Sequence, residues 1–334
     1  MKQKYLSATI WFFLLLVLIL DGKTVISGAV DGIEICLFTV IPSLFPFFVI
    51  TGMLTGSLGG AKIPGTSWIS KACKIPQGSE SIFLLGTVGG YPMGAKAISD
   101  TYRQGKISKN TAHRMLGFCS NCGPSFIFGI CTSFFANVMC GWLLWGIQIL
   151  SAILTGMILP GGNKAFDKQQ NFKKTTIDQA LKSSLQAIAK VCGWVILFRV
   201  FLTVQNRWVL RMLPKFLKTL IIGLQELSNG CIELNTVENV CARFVICSTM
   251  LTFGGLCVIL QTKSVTEDLG LGLYFPGKCI QTGISTLISL IVSRLYFGER
   301  IQCLPFLVIA AASITTGLFL LKRKNSSIFT KSVV

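Results

Sequence analysis

The sequence predicts an all-α polytopic membrane protein with about eight transmembrane helices and two re-entrant or broken half-helices. Three observations carry that expectation. Of 334 residues, 51% are hydrophobic and 13% charged, against roughly 25% charged in soluble domains. The apolar residues gather into runs close to the ~20 needed to cross about 30 Å of hydrocarbon. One such region is interrupted by Gly89-Gly-Tyr-Pro-Met-Gly-Ala-Lys96. Lipid offers no water to free backbone groups, so a Gly/Pro break at that depth needs protein or a hydrated cavity around it. In transporter-like folds such breaks point to the binding site.

The crossing candidates, in order, are Leu6–Leu20, Pro42–Gly60, Met115–Phe135, Val138–Leu159, Lys190–Asn206, Val240–Leu260, Tyr274–Leu295 and Leu304–Leu321. Leu6–Leu20 follows Lys2 and Lys4 and precedes Asp21 and Lys23. A cleavable signal with its site at Ser27-Gly28-Ala29 is one reading, and an uncleaved first helix with its N-terminus inside is the favoured one. Two apolar segments are too short to span. Ile82–Gly90 would rise about 13 Å as a helix, and Leu217–Gly223 is similar, so both read as half-helices.

The formal charge is +18, from 31 Lys+Arg against 13 Asp+Glu. The positive residues lie between apolar runs, as in cytoplasmic loops near anionic lipid, so the expected partner is a lipid bilayer and not nucleic acid. Lys62, Lys71 and Lys74 precede the first half-helix, and Arg103, Lys106, Lys109 and Arg114 follow it; both flanks therefore read as cytoplasmic. Lys322-Arg323-Lys324 places the C-terminus inside as well. Arg207, Arg211, Lys215 and Lys218 are the exception, because a single crossing at 190–206 would leave them outside.

The halves echo each other. Residues 26–60 and 177–206 each read as an amphipathic stretch leading into a span, followed by a half-helix, a break and further spans. The breaks are Gly90-Tyr91-Pro92 and Leu227-Ser228-Asn229-Gly230, and Phe118-Cys119-Ser120-Asn121 echoes Ile246-Cys247-Ser248-Thr249. Entering the membrane from opposite sides, they form an inverted-topology repeat with substrate near the midplane. The chain divides into an N-terminal transmembrane helix (1–24), a first membrane repeat (25–160), a basic cytoplasmic linker (161–176), a second, divergent repeat (177–324) and a cytoplasmic tail (325–334).

The candidate substrate-binding residues follow from this layout. Gly90 and Gly94 permit close approach, Pro92 suits the first turn of a second arm, and Tyr91 stands between them as a ligand contact or a boundary residue. Asn121 is a neutral polar group in an apolar stretch broken by Gly123-Pro124. Lys96, Arg199, Glu226 and Arg243 are ionisable residues near or within the membrane. Glu226, with Ser228 and Asn229 at the second break, suits a cation or a proton; Lys96 and Arg243 suit snorkelling to an interface. Plain packing at a tight bend is the competing account of the Gly89–Lys96 run.

Enzymes, metals and cofactors find little footing. His113 is the one histidine and there is no phosphate-binding glycine loop. The 13 cysteines are an odd number scattered through apolar spans, which favours small apolar fillers over a disulfide framework. Cys119-Ser-Asn-Cys122 has the spacing of half a zinc site and no second half.

The segments Gly90–Lys96, Lys106-Ile-Ser-Lys109 and Phe118-Cys-Ser-Asn-Cys-Gly-Pro-Ser-Phe-Ile127, with Ile41-Pro-Ser-Leu-Phe-Pro-Phe47 upstream, resemble sporulation integral membrane proteins of the YlbJ type. These belong to the nucleoside-recognition, or Gate, domain group of endospore-forming Gram-positive bacteria. The resemblance is strongest over 28–160. It implies Gate-like repeats and a multi-pass cell-membrane protein needed for spore cortex formation. Such a protein would be transporter-like, moving or gating a small solute beside other sporulation membrane proteins; a non-transporting scaffold for cortex assembly proteins is the alternative. Gly90, Tyr91, Pro92, Gly94 and Lys96 match its first motif and Asn121, Gly123 and Pro124 its second, where the family commonly carries two adjacent Asn and this chain has Asn121 flanked by Ser120 and Cys122.

Overall fold

A backbone in lipid must satisfy its own hydrogen bonds, and the chain does so with helices. The computed structural model describes residues 18–58, 63–135, 137–161, 176–266 and 269–331, with Tyr5, Thr9, Phe12, Leu15 and Leu16, and no strand occurs among them. The expected Leu6–Leu20 crossing lies mostly, and the 161–176 linker almost wholly, outside the described residues, as do the last tail residues, 332–334.

Among the described residues six helical stretches are long and apolar enough to cross a membrane: Gly22–Leu54, Val138–Ile158, Ile177–Trp208, Val240–Thr266, Tyr274–Phe297 and Cys303–Lys324. The first consists of α1 (Gly22–Ile35), a wide π-type turn at Cys36–Val40, and α2 (Ile41–Leu58). After the short α3 (Ser67–Ala72) come the half-helix α4 (Glu80–Val88), α5 (Met93–Arg103) and α6 (Lys109–Leu116). Then follow α7 (Pro124–Phe126), a second π-type turn at Ile127–Cys131, α8 (Thr132–Phe135) and the spanning α9 (Val138–Ile158). The expected Met115–Phe135 crossing is therefore not one helix. Gly117, Gly123 and Pro124 interrupt it, and residues 117–123 run as irregular backbone between α6 and α7.

The second half begins with α10 (Ile177–Trp208), a single helix of 32 residues opened by a capping box between Thr176 and Gln179. Next come the half-helix α11 (Lys215–Gln225) and α12 (Leu227–Glu233). The helices α13 (Val240–Phe253) and α14 (Gly255–Thr266) are separated by Gly254 and Gly255, both with positive φ. The chain ends in α15 (Tyr274–Phe297) and α16 (Cys303–Lys331). Each half thus contains a long apolar helical stretch, a later half-helix, an interruption and a shorter helix. The sequence echo at Cys119-Ser120 and Cys247-Ser248 does not mark equivalent places: the first pair lies in a break and the second inside α13, and the second-half interruption is Gly254-Gly255.

Helix α10 packs on α1 and α2, and α15 packs on α9, α13 and α16. The hairpins α4–α5 and α11–α12 fill the space between, with α14 touching α5, α10, α11 and α12. Large apolar side chains remain exposed on the outer helices, among them Phe38, Ile50, Trp142, Leu295 and Phe319. On a soluble protein that would be a liability; here it is the lipid-facing surface. The basic residues after α10 are partly neutralised within the fold: Arg207 pairs with Asp21 at 2.6 Å and Lys218 with Glu233 at 3.4 Å.

Candidate functional site

The first break is held by backbone-to-backbone packing that only glycine allows. Gly90 has φ +77°, and a Cβ there would stand 2.9 Å from the Gly123 nitrogen. A Cβ on Gly86 of α4 or on Gly94 of α5 would overlap the carbonyl oxygen of Cys119. The irregular strip 117–123 therefore threads across the α4–α5 hairpin, so the two sequence motifs are one structural unit. Pro92 follows a cis Tyr91–Pro92 bond and precedes α5, and Pro124 opens α7, where its missing N–H is of no consequence.

The second break is not at Leu227–Gly230, which are helical in α12; it falls at Glu226, whose carboxylate caps that helix and so lets it start there. Glu226 is extended and caps α12: its oxygens accept from Ser228 N at 3.1 Å, Asn229 N at 2.7 Å and Asn229 Nδ2 at 2.7 Å. Arg199 of α10 donates to Asn229 Oδ1 at 2.6 Å and to Asp31 of α1 at 3.0 Å. Arg199 is thus tied into the second break. Arg243, expected to snorkel, instead donates to the carbonyls of Val237 and Phe134.

Between the two breaks lies a cavity of about 50 Å³. Tyr91, Cys122 and Gly123 line it from the first half; Glu226, Ser228 and Gln261 line it from the second. Thr39 and Ser43, from the turn between α1 and α2 and from α2, complete its polar wall. Other candidates lie outside that wall. Gly90, Pro92, Gly94 and Pro124 shape the backbone behind it, Asn229 stands behind Glu226, and Lys96 pairs with Asp100 at 2.7 Å in a half-buried position on α5.

Asn121 leads to a residue that sequence reasoning overlooked. Its Oδ1 accepts from Lys278 Nζ at 3.1 Å and from Gln281 Nε2 at 2.8 Å, while its Nδ2 donates to Phe118 O at 2.8 Å. Lys278 also donates to Gln281 Oε1 at 2.7 Å and lies 5.1 Å from the Tyr91 ring centroid and 6.0 Å from that of Tyr274. Gln281 reaches on to Gln148 O, Gln148 to Leu251 O, and the Tyr91 hydroxyl donates to Thr252 O at 2.9 Å. A buried polar network thus joins the first break to α9, α13 and α15. The available signal was a lysine five residues into the Tyr274–Leu295 run; so near the start of an apolar stretch, it reads as a boundary residue.

In comparison with known proteins, no protein-family model matches the chain, and no solved structure does. One curated relative is similar: the sporulation integral membrane protein YlbJ of Bacillus subtilis (strain 168), 24% identical in an alignment covering 83% of this chain and 79% of that protein. The YlbJ-type resemblance holds. Coverage of 83% also carries it beyond residues 28–160 into the second half. This chain is thus similar to a YlbJ-type sporulation membrane protein over most of its length, and its six apolar helical stretches fit a membrane-embedded helical protein.

Proposed function

We propose that the chain is a transporter-like membrane protein of sporulation, needed for spore cortex formation, that moves or gates a small solute between its two breaks. The supporting observation is the cavity walled by Tyr91, Cys122 and Gly123 on one side and by Glu226 and Ser228 on the other. Broken helices that face a shared cavity with a few placed polar groups on a mostly apolar wall are the arrangement in which transporters hold a solute. The recurrence of a long helical stretch, a half-helix and a shorter helix in each half supports an inverted-topology repeat of Gate-like units around that cavity. Both termini are read as cytoplasmic from the basic residues Lys2, Lys4 and Lys322-Arg323-Lys324. No catalysis enters this reading, in which Glu226, the one carboxylate among the lining residues, serves the solute or the fold.

The small volume of the cavity is what the scaffold alternative would also display, so the test must separate them. Spore heat resistance is counted after deletion of the gene and its restoration as wild type or Asn121→Ala at matched membrane levels. Loss on deletion, rescue by wild type and no rescue by Asn121→Ala are expected. Full rescue by Asn121→Ala would leave the scaffold reading ahead, and normal spores after deletion would remove the sporulation role.

A further inference from the structure

Lys278 has no access to solvent and neighbours that do not neutralise it. Its ammonium has three donors. Two reach neutral amide oxygens, Asn121 Oδ1 and Gln281 Oε1, and two aromatic faces lie within about 6 Å, a range in which a cation is attracted by ring electrons. No ion pair among the described residues includes it. An ionisable side chain buried in a membrane protein is rare and marks a substrate or ion path. One further donor adjoins the network in sequence: Ser120 Oγ, next to Asn121, is buried with no hydrogen-bond partner among the described residues.

We infer that Lys278 is the binding residue for a small oxyanion, a carboxylate or a phosphate, that enters from the cavity past the Tyr91 ring. This deepens the transporter reading and rests on it. Tyr91 belongs to both places, since it lines the cavity and lies beneath the Lys278 ammonium. Cys122 lines the same wall next to Asn121. The anion brings the countercharge that the fold omits, with the third ammonium N–H and the Ser120 hydroxyl as donors to its oxygens. The cavity of about 50 Å³ has room for a handful of heavy atoms, given that one water needs about 10–15 Å³ by the same kind of measure; Lys278 and Asn121 do not line it, so the anion reaches the ammonium only when the Tyr91 ring moves aside. Glu226 is the one carboxylate on the wall, and its oxygens are engaged by three N–H groups of α12, which spread its charge into the helix.

The full chain, purified in nanodiscs, is unfolded thermally while sodium acetate or sodium phosphate is titrated in at constant ionic strength, with methylammonium chloride as the cation control. Wild type should gain a saturating rise in Tm with at least one anion; which one tells carboxylate from phosphate. Lys278→Arg should keep the response, and Lys278→Met or Lys278→Gln should bind the anion about tenfold to a hundredfold more weakly. No response of wild type to either anion, an equal response in both neutral variants, or a response to methylammonium alone overturns the inference. If neither neutral variant can be purified, the wild-type titrations alone decide it. Spore counts separate this from the broader reading: a Lys278→Met protein that restores heat resistance sinks the oxyanion site and spares the sporulation role. Normal spores after deletion do the reverse.

Discussion

Arg114 and Lys278 are both cations sealed from solvent, and they are sealed in opposite ways. Arg114 of α6 donates to four carbonyls: those of Cys73 and Lys74 just past α3, Gly156 in the last turn of α9 and Leu159 just past it. Helix C-termini carry unsatisfied carbonyls and partial negative charge, so a guanidinium fork there is fully employed. Lys278 meets two amide oxygens and two rings, with one N–H left over. The first charge is structural, a clasp that pins three elements. The second is held by groups that a ligand could outcompete. Burial alone therefore does not mark a functional charge; the completeness of its partners does.

That contrast can be broken at several points. Arg114→Met should cost about 3–5 kcal/mol, because it strands a set of buried carbonyls. Size-exclusion chromatography of detergent extracts should show little monodisperse protein, and Arg114→Lys, lacking the fork, should recover only part of it. Lys278→Met should behave differently. It strands one buried acceptor, Gln281 Oε1, while Asn121 Oδ1 keeps the Gln281 amide, and it also removes an unpaired buried charge; the thermal midpoint should therefore stay near wild type while spore heat resistance falls. A midpoint that drops as far as that of Arg114→Met would make Lys278 a second clasp. Gly94→Ala should cost about 1–3 kcal/mol through overlap with the Cys119 carbonyl, and Gly94→Leu should abolish complementation although the chain still reaches the membrane; normal activity of Gly94→Leu would refute the close backbone approach. Lys96→Ala should be the mildest. Its partly exposed i,i+4 pair with Asp100 is worth about 0.3–0.5 kcal/mol, so thermal midpoint and spore counts should both stay near wild type.

The half-helices at 82–90 and 217–223 were legible because length is a hard constraint: too few apolar residues cannot cross hydrocarbon. The first break was legible because Gly and Pro punctuate helices locally. The second was not, because Leu227–Gly230 lie inside α12, the chain turns at Glu226 instead, and Gly254 interrupts the expected Val240–Leu260 span. The interlock of Gly86, Gly94 and Cys119 was not, since nothing in a one-dimensional pattern says which distant backbone a glycine admits. Residues 115–135 were misread for a related reason. Their hydropathy suits a span, but Gly117, Gly123 and Pro124 decide the backbone. Arg114 looked like a loop cation because it sits among Lys109, His113 and other polar residues. Lys278 drew no notice inside the Tyr274–Leu295 run. The partners that tie each to the rest of the fold, the Cys73 and Gly156 carbonyls for Arg114 and Asn121 for Lys278, lie tens of residues or more away in sequence.

One wall of the cavity has a use beyond binding. Cys122 places a native sulfur where any opening of the space between the two breaks must show itself, and no disulfide among the described residues engages it. The protein thus carries its own stopwatch. The speed at which a small maleimide alkylates that one position, followed by peptide mass spectrometry, times how often the cavity opens, without an engineered label and without knowing the cargo.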